Sequence, residues 1–205
     1  MSAPVLVTGF EPFGGASSNP SADAVRRLAR TWAGPEPLVT TVLPVTFADA
    51  AATLLALVEE HHPCLVVATG LADGRDAVTP ERVAVNLADA RIPDNAGAQP
   101  LDEPVVAGGP AAYFSTLPVK AIGAALAEVG HPVALSHSAG TFVCNHVFYA
   151  LLHHLEGRDG PAAGFVHLPA AAVLPVEAQA DALRVVVRTA LDVPHDLPLP
   201  GGAIA

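Results

Sequence analysis

The sequence predicts an α/β fold in which a mostly parallel, twisted sheet is flanked by helices on both faces. Short runs rich in β-branched residues alternate along the chain with longer segments of helical periodicity. Several of these runs are apolar throughout, which indicates strands buried on both faces. The chain has 205 residues, of which 51% are hydrophobic and 15% charged, so we expect one domain that spans residues 1–205.

Five short runs are the predicted strands. The first, Val5-Leu6-Val7-Thr8, is typical: it is apolar and β-branched, and a glycine follows it. The predicted strands cover residues 5–8, 40–45, 64–68, 132–136 and 164–168.

Five longer segments are the predicted helices. In the first, Asn19 and Pro20 suit the cap and the first position of a helix, apolar residues such as Val25 and Leu28 share one face, and Gly34 follows the end. The predicted helices cover residues 20–32, 47–61, 118–129, 142–155 and 175–191.

Two segments lack helical periodicity. Residues 70–117 are rich in Gly, Pro, Asp and Asn, and loops of this length are commonly functional. Residues 193–205 are rich in proline and glycine, and we expect an irregular C-terminal tail there.

Composition excludes several classes of protein. Ten basic and twenty acidic residues give a formal charge of −10, which argues against nucleic acid as a partner. No apolar stretch reaches the ~18 residues needed to span a bilayer, and no basic region precedes an apolar one at the N-terminus. We therefore expect no membrane association and a cytoplasmic location. Two cysteines are too few for a disulfide framework, and a reducing compartment keeps both as thiols.

Ligands of α/β sheets collect beyond the carboxyl ends of the strands, so we searched the segments that follow them. Residues 9–15 do not form a phosphate loop, because Gly15 and Ala16 stand where such a loop needs Lys and Ser or Thr. Phe10 and Phe13 in this segment suit the wall of an apolar pocket. An equally good interpretation is that both rings fill space in the hydrophobic core.

Cys144 lies where a turn of small residues becomes an amphipathic helix. Val143, Val147 and Leu151 form the apolar face of that helix, and Cys144 is one residue out of step with them. At a helix N-terminus the dipole and the unpaired N–H groups lower the pKa of a thiol, so we expect a reactive thiolate. The alternative is a buried cysteine that acts as a small hydrophobic residue.

A nucleophilic thiol needs a base and a group that orients the base. His167 ends a buried apolar run, at a strand end where its ring can face the same cleft as Cys144. Glu81 lies in a loop and is a candidate for fixing the imidazole tautomer, although an exposed surface glutamate is the alternative. The sequence leaves His137 open as a second candidate base. It contains no metal-binding motif, so we expect no metal and no cofactor.

Five long motifs, in the right order, resemble the pyroglutamyl peptidase I family of cytosolic cysteine peptidases, also called pyrrolidone-carboxylate peptidases. The resemblance covers about residues 4–190. It implies a catalytic triad of Cys144, His167 and Glu81. The motifs lie at residues 8–15 with 19–21, 79–86, 89–95, 109–118 and 138–146.

The resemblance also implies the substrate and its pocket. The family removes N-terminal pyroglutamyl residues from peptides through a thioester acyl-enzyme. The resemblance also implies that the protein is a homo-oligomer, either a tetramer or a dimer. Arg91 is a candidate for stabilising the oxyanion, with an ion pair to Asp89 or Asp94 as the alternative. The implied ring-binding residues are Phe10, Phe13, Leu71, Ile92, Phe142 and Val143.

The chain departs from the family pattern near the implied site. Many bacterial relatives have Gln where this chain has Leu71, and leucine cannot supply an amide hydrogen bond to the lactam. His137 replaces a residue that is often Asn or Tyr, and a titrating group there can alter the pH profile. Residues 168–172 are smaller and less polar than the family pattern.

Two alternative functions are compatible with the sequence. One is a cysteine amidohydrolase of the same fold with a shifted specificity. The other is a non-catalytic domain that binds a small molecule, since related α/β folds serve both phosphorylases and hydrolases and a fold does not determine a function. The presence of Cys144, His167 and Glu81 together argues against the second.

Overall fold

The computed structural model describes residues 2–202. Helices and strands alternate through most of this range, as the sequence predicts. In chain order they are β1 (Val5–Phe10), α1 (Pro20–Thr31), β2 (Leu38–Leu43), α2 (Asp49–His61), β3 (Leu65–Leu71), β4 (Thr79–Pro80), β5 (Val83–Val85), β6 (Ala112–Phe114), α3 (Val119–Glu128), α4 (Val143–Leu155), β7 (Ala162–Leu168) and α5 (Val176–Asp192).

Five strands form the central sheet, in the order β2-β1-β3-β7-β4. Strands β1, β2, β3 and β7 are parallel to one another, and the short β4 pairs antiparallel with β7. Strands β5 and β6 form a separate antiparallel pair. The predicted fold class, a mostly parallel sheet covered by helices, is confirmed.

The apolar strands are buried because helices cover both faces of the sheet. In β1, Val5 and Val7 belong to one core and Leu6 belongs to the other, and all three are completely buried. The first core is closed by α1, α3 and α5, and the second by α2 and α4. Because successive side chains of a strand point to opposite faces of the sheet, each strand contributes side chains to two separate apolar layers.

The start of α1 follows the sequence prediction. Asn19 is the N-cap and its side chain accepts a hydrogen bond from the Ser21 N–H at 3.0 Å, while Pro20 occupies the first helical position. The Ser21 hydroxyl in turn accepts from the Phe10 N–H at 3.0 Å. The loop between β1 and α1 is therefore tied to the end of the strand that precedes it.

The predicted strand at residues 132–136 is wrong as a regular element. This segment runs beside β4 and is parallel to it, but it pairs only at two isolated positions, Val78 with Val133 and Glu81 with Ser136. Pro80 lies between these two positions and has no N–H to donate, so the hydrogen-bonded ladder is interrupted there.

Residues 193–202 contain no helix or strand. Within this stretch Asp196 accepts hydrogen bonds from the N–H groups of Lys120 and Ala121 at the start of α3, at 2.9 and 3.0 Å. The carboxylate therefore caps a helix that has no side-chain cap of its own. The rest of the predicted tail, residues 203–205, lies outside the described residues.

Candidate active site

The carboxyl ends of the parallel strands surround a cavity of about 360 Å³. Strand β1 ends at Phe10 and β3 at Leu71, and both residues line the cavity. Helix α4 begins at the same edge of the sheet, with Val143 as its first residue and Cys144 as its second. Cys144 and His167 both line this cavity, which is where ligands of α/β sheets bind.

The thiol of Cys144 lies over the backbone of β3. A Cβ atom at Gly70 would come within 2.8 Å of the sulfur, so glycine leaves the space that the thiol occupies. Gly70 and His167 are paired residues of neighbouring parallel strands, so their side-chain positions lie on the same face of the sheet. The imidazole and the thiol are therefore neighbours at the edge of the sheet.

The next residue, Asn145, fixes the start of α4. Its side chain is completely buried and forms three hydrogen bonds with the backbone. It accepts from the Val85 N–H at 3.0 Å and donates to the carbonyl groups of Val85 and Leu87 at 2.9 and 3.0 Å. The first turn of α4, and with it Cys144, is therefore anchored to β5.

His167 and Glu81 are joined by the pairing of β7 with β4. Thr79 pairs with His167, and the Glu81 N–H donates to the Phe165 carbonyl group at 2.9 Å. The His167 Nδ1 atom lies 2.7 Å from the Glu81 Oε1 atom, and both side chains are buried. Since Nδ1 is engaged by the carboxylate, Nε2 is the ring nitrogen that remains to accept a proton.

The thiol is less acidic than its position in the helix suggests. Cys144 is partly exposed to the cavity, yet burial among protein atoms raises the pKa of its thiol to about 12. The Glu81 carboxylate also raises this pKa, while Arg75 and the Cys144 N–H lower it. Desolvation thus opposes the thiolate that the helix start favours, and the reactive thiolate stays a prediction.

The pKa of His167 is lowered from its ordinary value of 6.5. Burial is the main cause, since it disfavours the imidazolium ion, and Arg75 acts in the same direction. The hydrogen bond and the charge of Glu81 act in the opposite direction. Both shifts favour the neutral forms of the thiol and the imidazole in the free protein, and a neutral imidazole can accept the thiol proton.

Five of the predicted ring-binding residues line the cavity, and one does not. The Phe13 and Phe142 rings lie 6.1 Å apart, and Phe47 packs edge-on against Phe142 at 5.3 Å. Ile92 is 40% exposed and lies outside the cavity lining. The predicted residues that line the cavity are Phe10, Phe13, Leu71, Phe142 and Val143.

Arg91 also lines the cavity, and it forms no ion pair within residues 2–202. The ion pair with Asp94 that was the alternative for Arg91 is absent, because Asp94 accepts hydrogen bonds from the backbone of Phe47, Ala96 and Ala98 instead. His137, the other candidate base, is exposed and does not line the cavity.

Comparison with known families decides the assignment. A family model described as pyroglutamyl peptidase matches residues 3–189 of the chain. The chain belongs to the pyroglutamyl peptidase family. This confirms the predicted enzyme class.

Similar proteins cover the whole length of the chain. The pyrrolidone-carboxylate peptidases of Vibrio vulnificus and Klebsiella pneumoniae are 49% and 47% identical to it, over 98% of the chain and 98% and 99% of their own lengths. Pyroglutamyl peptidase I of Bacillus amyloliquefaciens is 39% identical, with a TM-score of 0.91 over 98% of this chain and 100% of that chain. The pyrrolidone carboxyl peptidase of Thermococcus litoralis is 37% identical, with a TM-score of 0.93 over 97% of this chain and 100% of that chain.

Sequence reasoning did not single out two charged residues on the cavity wall of this pyroglutamyl peptidase, Asp73 and Arg75. Arg75 lines the cavity, and its guanidinium group lies 2.6 Å from the Glu81 carboxylate. Its position in residues 70–75, the segment that follows the predicted strand at 64–68, was a signal, because side chains that follow strand ends reach the ligand edge of the sheet. Nothing in the pattern indicated that it would contact Glu81.

Residues 2–202 contain no group of three or more His, Cys, Asp or Glu residues that could hold a metal ion. No helix in this range is both long enough and apolar enough to cross a membrane.

Proposed function

We propose that this pyroglutamyl peptidase hydrolyses N-terminal pyroglutamyl residues from peptides with Cys144 as nucleophile, His167 as general base and acid, and Glu81 as the group that orients His167. The observation that carries the proposal is the buried hydrogen bond of 2.7 Å between His167 and Glu81, beside a thiol that lines the same cavity. This is the arrangement that a nucleophile, base and orienting acid require.

Acylation begins with the neutral thiol and the neutral imidazole. His167 Nε2 takes the thiol proton as the sulfur attacks the pyroglutamyl carbonyl carbon, so a thiolate forms only as the new bond is made. Glu81 stabilises the imidazolium ion that results. This order fits a thiol pKa of about 12, because the charge on sulfur never has to persist in the buried site.

The negative charge that develops on the carbonyl oxygen is met at the start of α4. The first N–H groups of a helix have no partner within the helix, and α4 has no side-chain cap. The Cys144 N–H is the donor we assign, with Arg91 as a second donor from the cavity wall. Removal of one such donor costs about 3–4 kcal/mol in comparable sites.

The imidazolium ion then gives its proton to the leaving amine, and the carbon–nitrogen bond breaks to leave a thioester. Water attacks the thioester, His167 takes a proton from the water, and the proton returns to the sulfur as pyroglutamate leaves. His167 thus carries one proton in each half-reaction, and the enzyme is restored.

Recognition of the ring follows from its chemistry. Pyroglutamate has its amine closed into a lactam, so the ring carries no charge and suits an apolar slot with few hydrogen bonds. Phe10, Phe13, Phe142 and Val143 supply apolar walls beside Cys144. We assign them to ring binding, and we assign the peptide beyond the scissile bond to the open side of the cavity.

The assay that tests this function measures release of a fluorescent amine from its L-pyroglutamyl amide, with the prolyl and alanyl amides beside it. We expect turnover of the pyroglutamyl amide alone, and loss of turnover in Cys144→Ala. Cys64→Ala is the matched control, since Cys64 is an exposed thiol that does not line this cavity, and it keeps wild-type rates.

Two other results would redirect the proposal. Turnover of another small amide in place of the pyroglutamyl amide would indicate a cysteine amidohydrolase with a shifted specificity. Turnover of no amide by a folded protein, with equal alkylation rates for Cys144 and Cys64, would indicate a binding domain.

We also propose that the enzyme acts in the cytoplasm as a homo-oligomer. Both cysteines are free thiols, which suits a reducing compartment. Phe114 and Leu101 are 73% and 70% exposed, which is unusual for large apolar side chains and suits contact with further copies. Light scattering after gel filtration measures the mass, and a monomer at micromolar concentration would contradict the oligomer.

A further inference from the structure

Arg75 contacts two segments that build the candidate active site, residues 79–81 and the turn at Ser138. It lies in the loop after β3, its side chain is 30% exposed, and it lines the cavity. Its Nη1 atom lies 2.6 Å from the Glu81 Oε1 atom and 2.7 Å from the Thr79 hydroxyl oxygen. Its Nη2 atom donates to the Ser138 carbonyl group at 2.9 Å. One side chain therefore ties the acid to the turn that leads into Cys144.

Arg75 and His167 bond the same oxygen of Glu81. The Oε1 atom accepts from Arg75 at 2.6 Å and lies 2.7 Å from His167 Nδ1. The other oxygen, Oε2, is buried and has no hydrogen-bond partner within residues 2–202. The direction of the Glu81 carboxylate therefore depends on both donors together, and a change at Arg75 alters the hydrogen bond to His167.

We propose that Arg75 is a positioning residue of this site, which holds the Glu81 oxygen against His167 and places a fixed positive charge beside the thiol and imidazole. The inference rests on the proposed roles of Cys144, His167 and Glu81. It adds a fourth residue that touches neither the scissile bond nor the nucleophile.

The charge of Arg75 acts on both proton-exchanging groups in the sense that attack requires. It lowers the pKa of His167, which keeps the base unprotonated, and it lowers the pKa of the Cys144 thiol. Glu81 raises both pKa values. The other charged side chains on the cavity wall are Asp73 and Arg91, and neither forms an ion pair within the described residues.

The first test is Arg75→Gln, assayed for kcat and KM on a pyroglutamyl amide across pH. We expect kcat to fall about 10- to 100-fold, with little change in KM, because Glu81 no longer fixes the imidazole. Loss of the cation stabilises the imidazolium ion, so the acid limb of kcat/KM moves to higher pH. Arg26→Gln is the matched control, because Arg26 pairs only with Asp23 on the surface, and its profile stays that of the wild type.

The second test is Arg75→Lys, which keeps the charge but cannot bond Glu81, Thr79 and Ser138 at once. We expect its acid limb to stay at the wild-type pH, while kcat lies between those of the wild type and Arg75→Gln. A purely structural role for Arg75 predicts instead that both variants lose thermal stability while the acid limb of kcat/KM stays at the wild-type pH. That result would overturn the proposal, as would wild-type kcat in either variant.

A substrate-free measurement separates this inference from the proposed function. Iodoacetamide alkylation of Cys144 and Cys64 is followed by mass spectrometry at each site across pH. We expect Arg75→Gln to slow alkylation of Cys144 and leave Cys64 unchanged. If the wild type fails to turn over pyroglutamyl amides, the proposed function fails. The alkylation rate of Cys144 relative to that of Cys64 still decides the role of Arg75 in that case. An unchanged rate at Cys144 overturns it.

Discussion

Gly70 is the residue whose missing side chain makes room for the nucleophile. An alanine there would place its Cβ atom 2.8 Å from the Cys144 sulfur and 3.0 Å from the Phe165 ring. The sulfur is the end of a short side chain and can rotate away, whereas the ring is packed in the core. We therefore expect Gly70→Ala to displace the thiol and to lower kcat/KM about 10- to 100-fold. Steady-state kinetics and a urea titration measure both effects, and the cost in unfolding free energy should be about 1–3 kcal/mol.

The control is Gly123→Ala in α3. Its Cβ atom would lie 3.4 Å from Leu135, an ordinary contact, and alanine is the better helix former by about 0.5–1 kcal/mol. This variant should gain stability and keep its activity. Wild-type kinetics in Gly70→Ala would show that the thiol does not need the space above β3.

At the residue scale, the sequence indicated which residues are candidates for the site better than it indicated what surrounds them in the fold. Cys144 was singled out by its position at a helix start and His167 by its position at the end of an apolar run, whereas Glu81, in a loop, was one candidate that the family resemblance then favoured. The pKa of Cys144 could not be predicted, because it depends on how much protein surrounds the thiol. Arg75 was missed for a related reason: its partner Glu81 is brought to it by the pairing of β4 with β7.

Leu71 is the residue most relevant to affinity for the ring. It lines the cavity at the end of β3 and has no group that could bond a lactam. We expect Leu71→Gln to lower KM for pyroglutamyl amides about 2- to 10-fold at similar kcat. This factor corresponds to the net free energy that one hydrogen bond contributes. Leu71→Met, which keeps the apolar character, should leave KM unchanged. Equal KM values for the Gln variant and the wild type would refute a side-chain role at this position.

At the scale of elements, periodicity predicted helices better than strands. The predicted helix at 142–155 is observed as Val143–Leu155, since its apolar face packs on the sheet. A helix satisfies its hydrogen bonds locally, so its own sequence suffices to locate it. The strand prediction at 132–136 failed because a strand also needs a neighbour with N–H groups in register, and β4 offers only two residues.

Asp196 caps α3, and the sequence around either segment does not reveal this contact. The carboxylate and the helix start are 76 residues apart in the chain. We expect Asp196→Ala to lower the unfolding free energy by about 1 kcal/mol, as for loss of a helix cap, with kcat and KM unchanged. Differential scanning calorimetry should record a fall in Tm of about 2–4 °C.

Asp192→Ala is the comparison for that variant. Asp192 forms an exposed pair with Arg188 within α5, and such pairs contribute only about 0.3–0.5 kcal/mol. If the two variants lose equal stability, the contact between Asp196 and α3 is no cap in solution.

At the scale of the whole molecule, we expect two histidines, one buried and one partly buried, to make the fold sensitive to acid. Burial lowers the pKa values of both His167 and His146 from 6.5, and the His146 Nδ1 atom is buried without a hydrogen-bond partner among the described residues. The unfolded chain therefore binds more protons than the folded one as pH falls below 6.5. The stability that these neutral rings contribute is complete above pH 6.5 and is lost as pH falls toward their folded pKa values.

We expect the unfolding free energy from urea titrations to fall between pH 7.5 and pH 5.5, above the range in which carboxylates titrate. His146→Leu removes one of the two groups and should flatten this dependence, while His137→Gln, at an exposed position, should not. A curve for His146→Leu with the wild-type slope would assign the acid sensitivity to other groups.

The order of strands in the sheet also bears on synthesis. Strand β7 lies between β3 and β4, yet it begins about 90 residues after the end of β3 and about 80 residues after the end of β4. A nascent chain that has just emerged through α4 carries Cys144 and Glu81, but not His167. His167, the proposed base, is synthesised last, in the strand that aligns it with Glu81. Under the proposed mechanism the thiol of a growing polypeptide therefore lacks its base, and we expect peptidase activity only after β7 has entered the middle of the sheet.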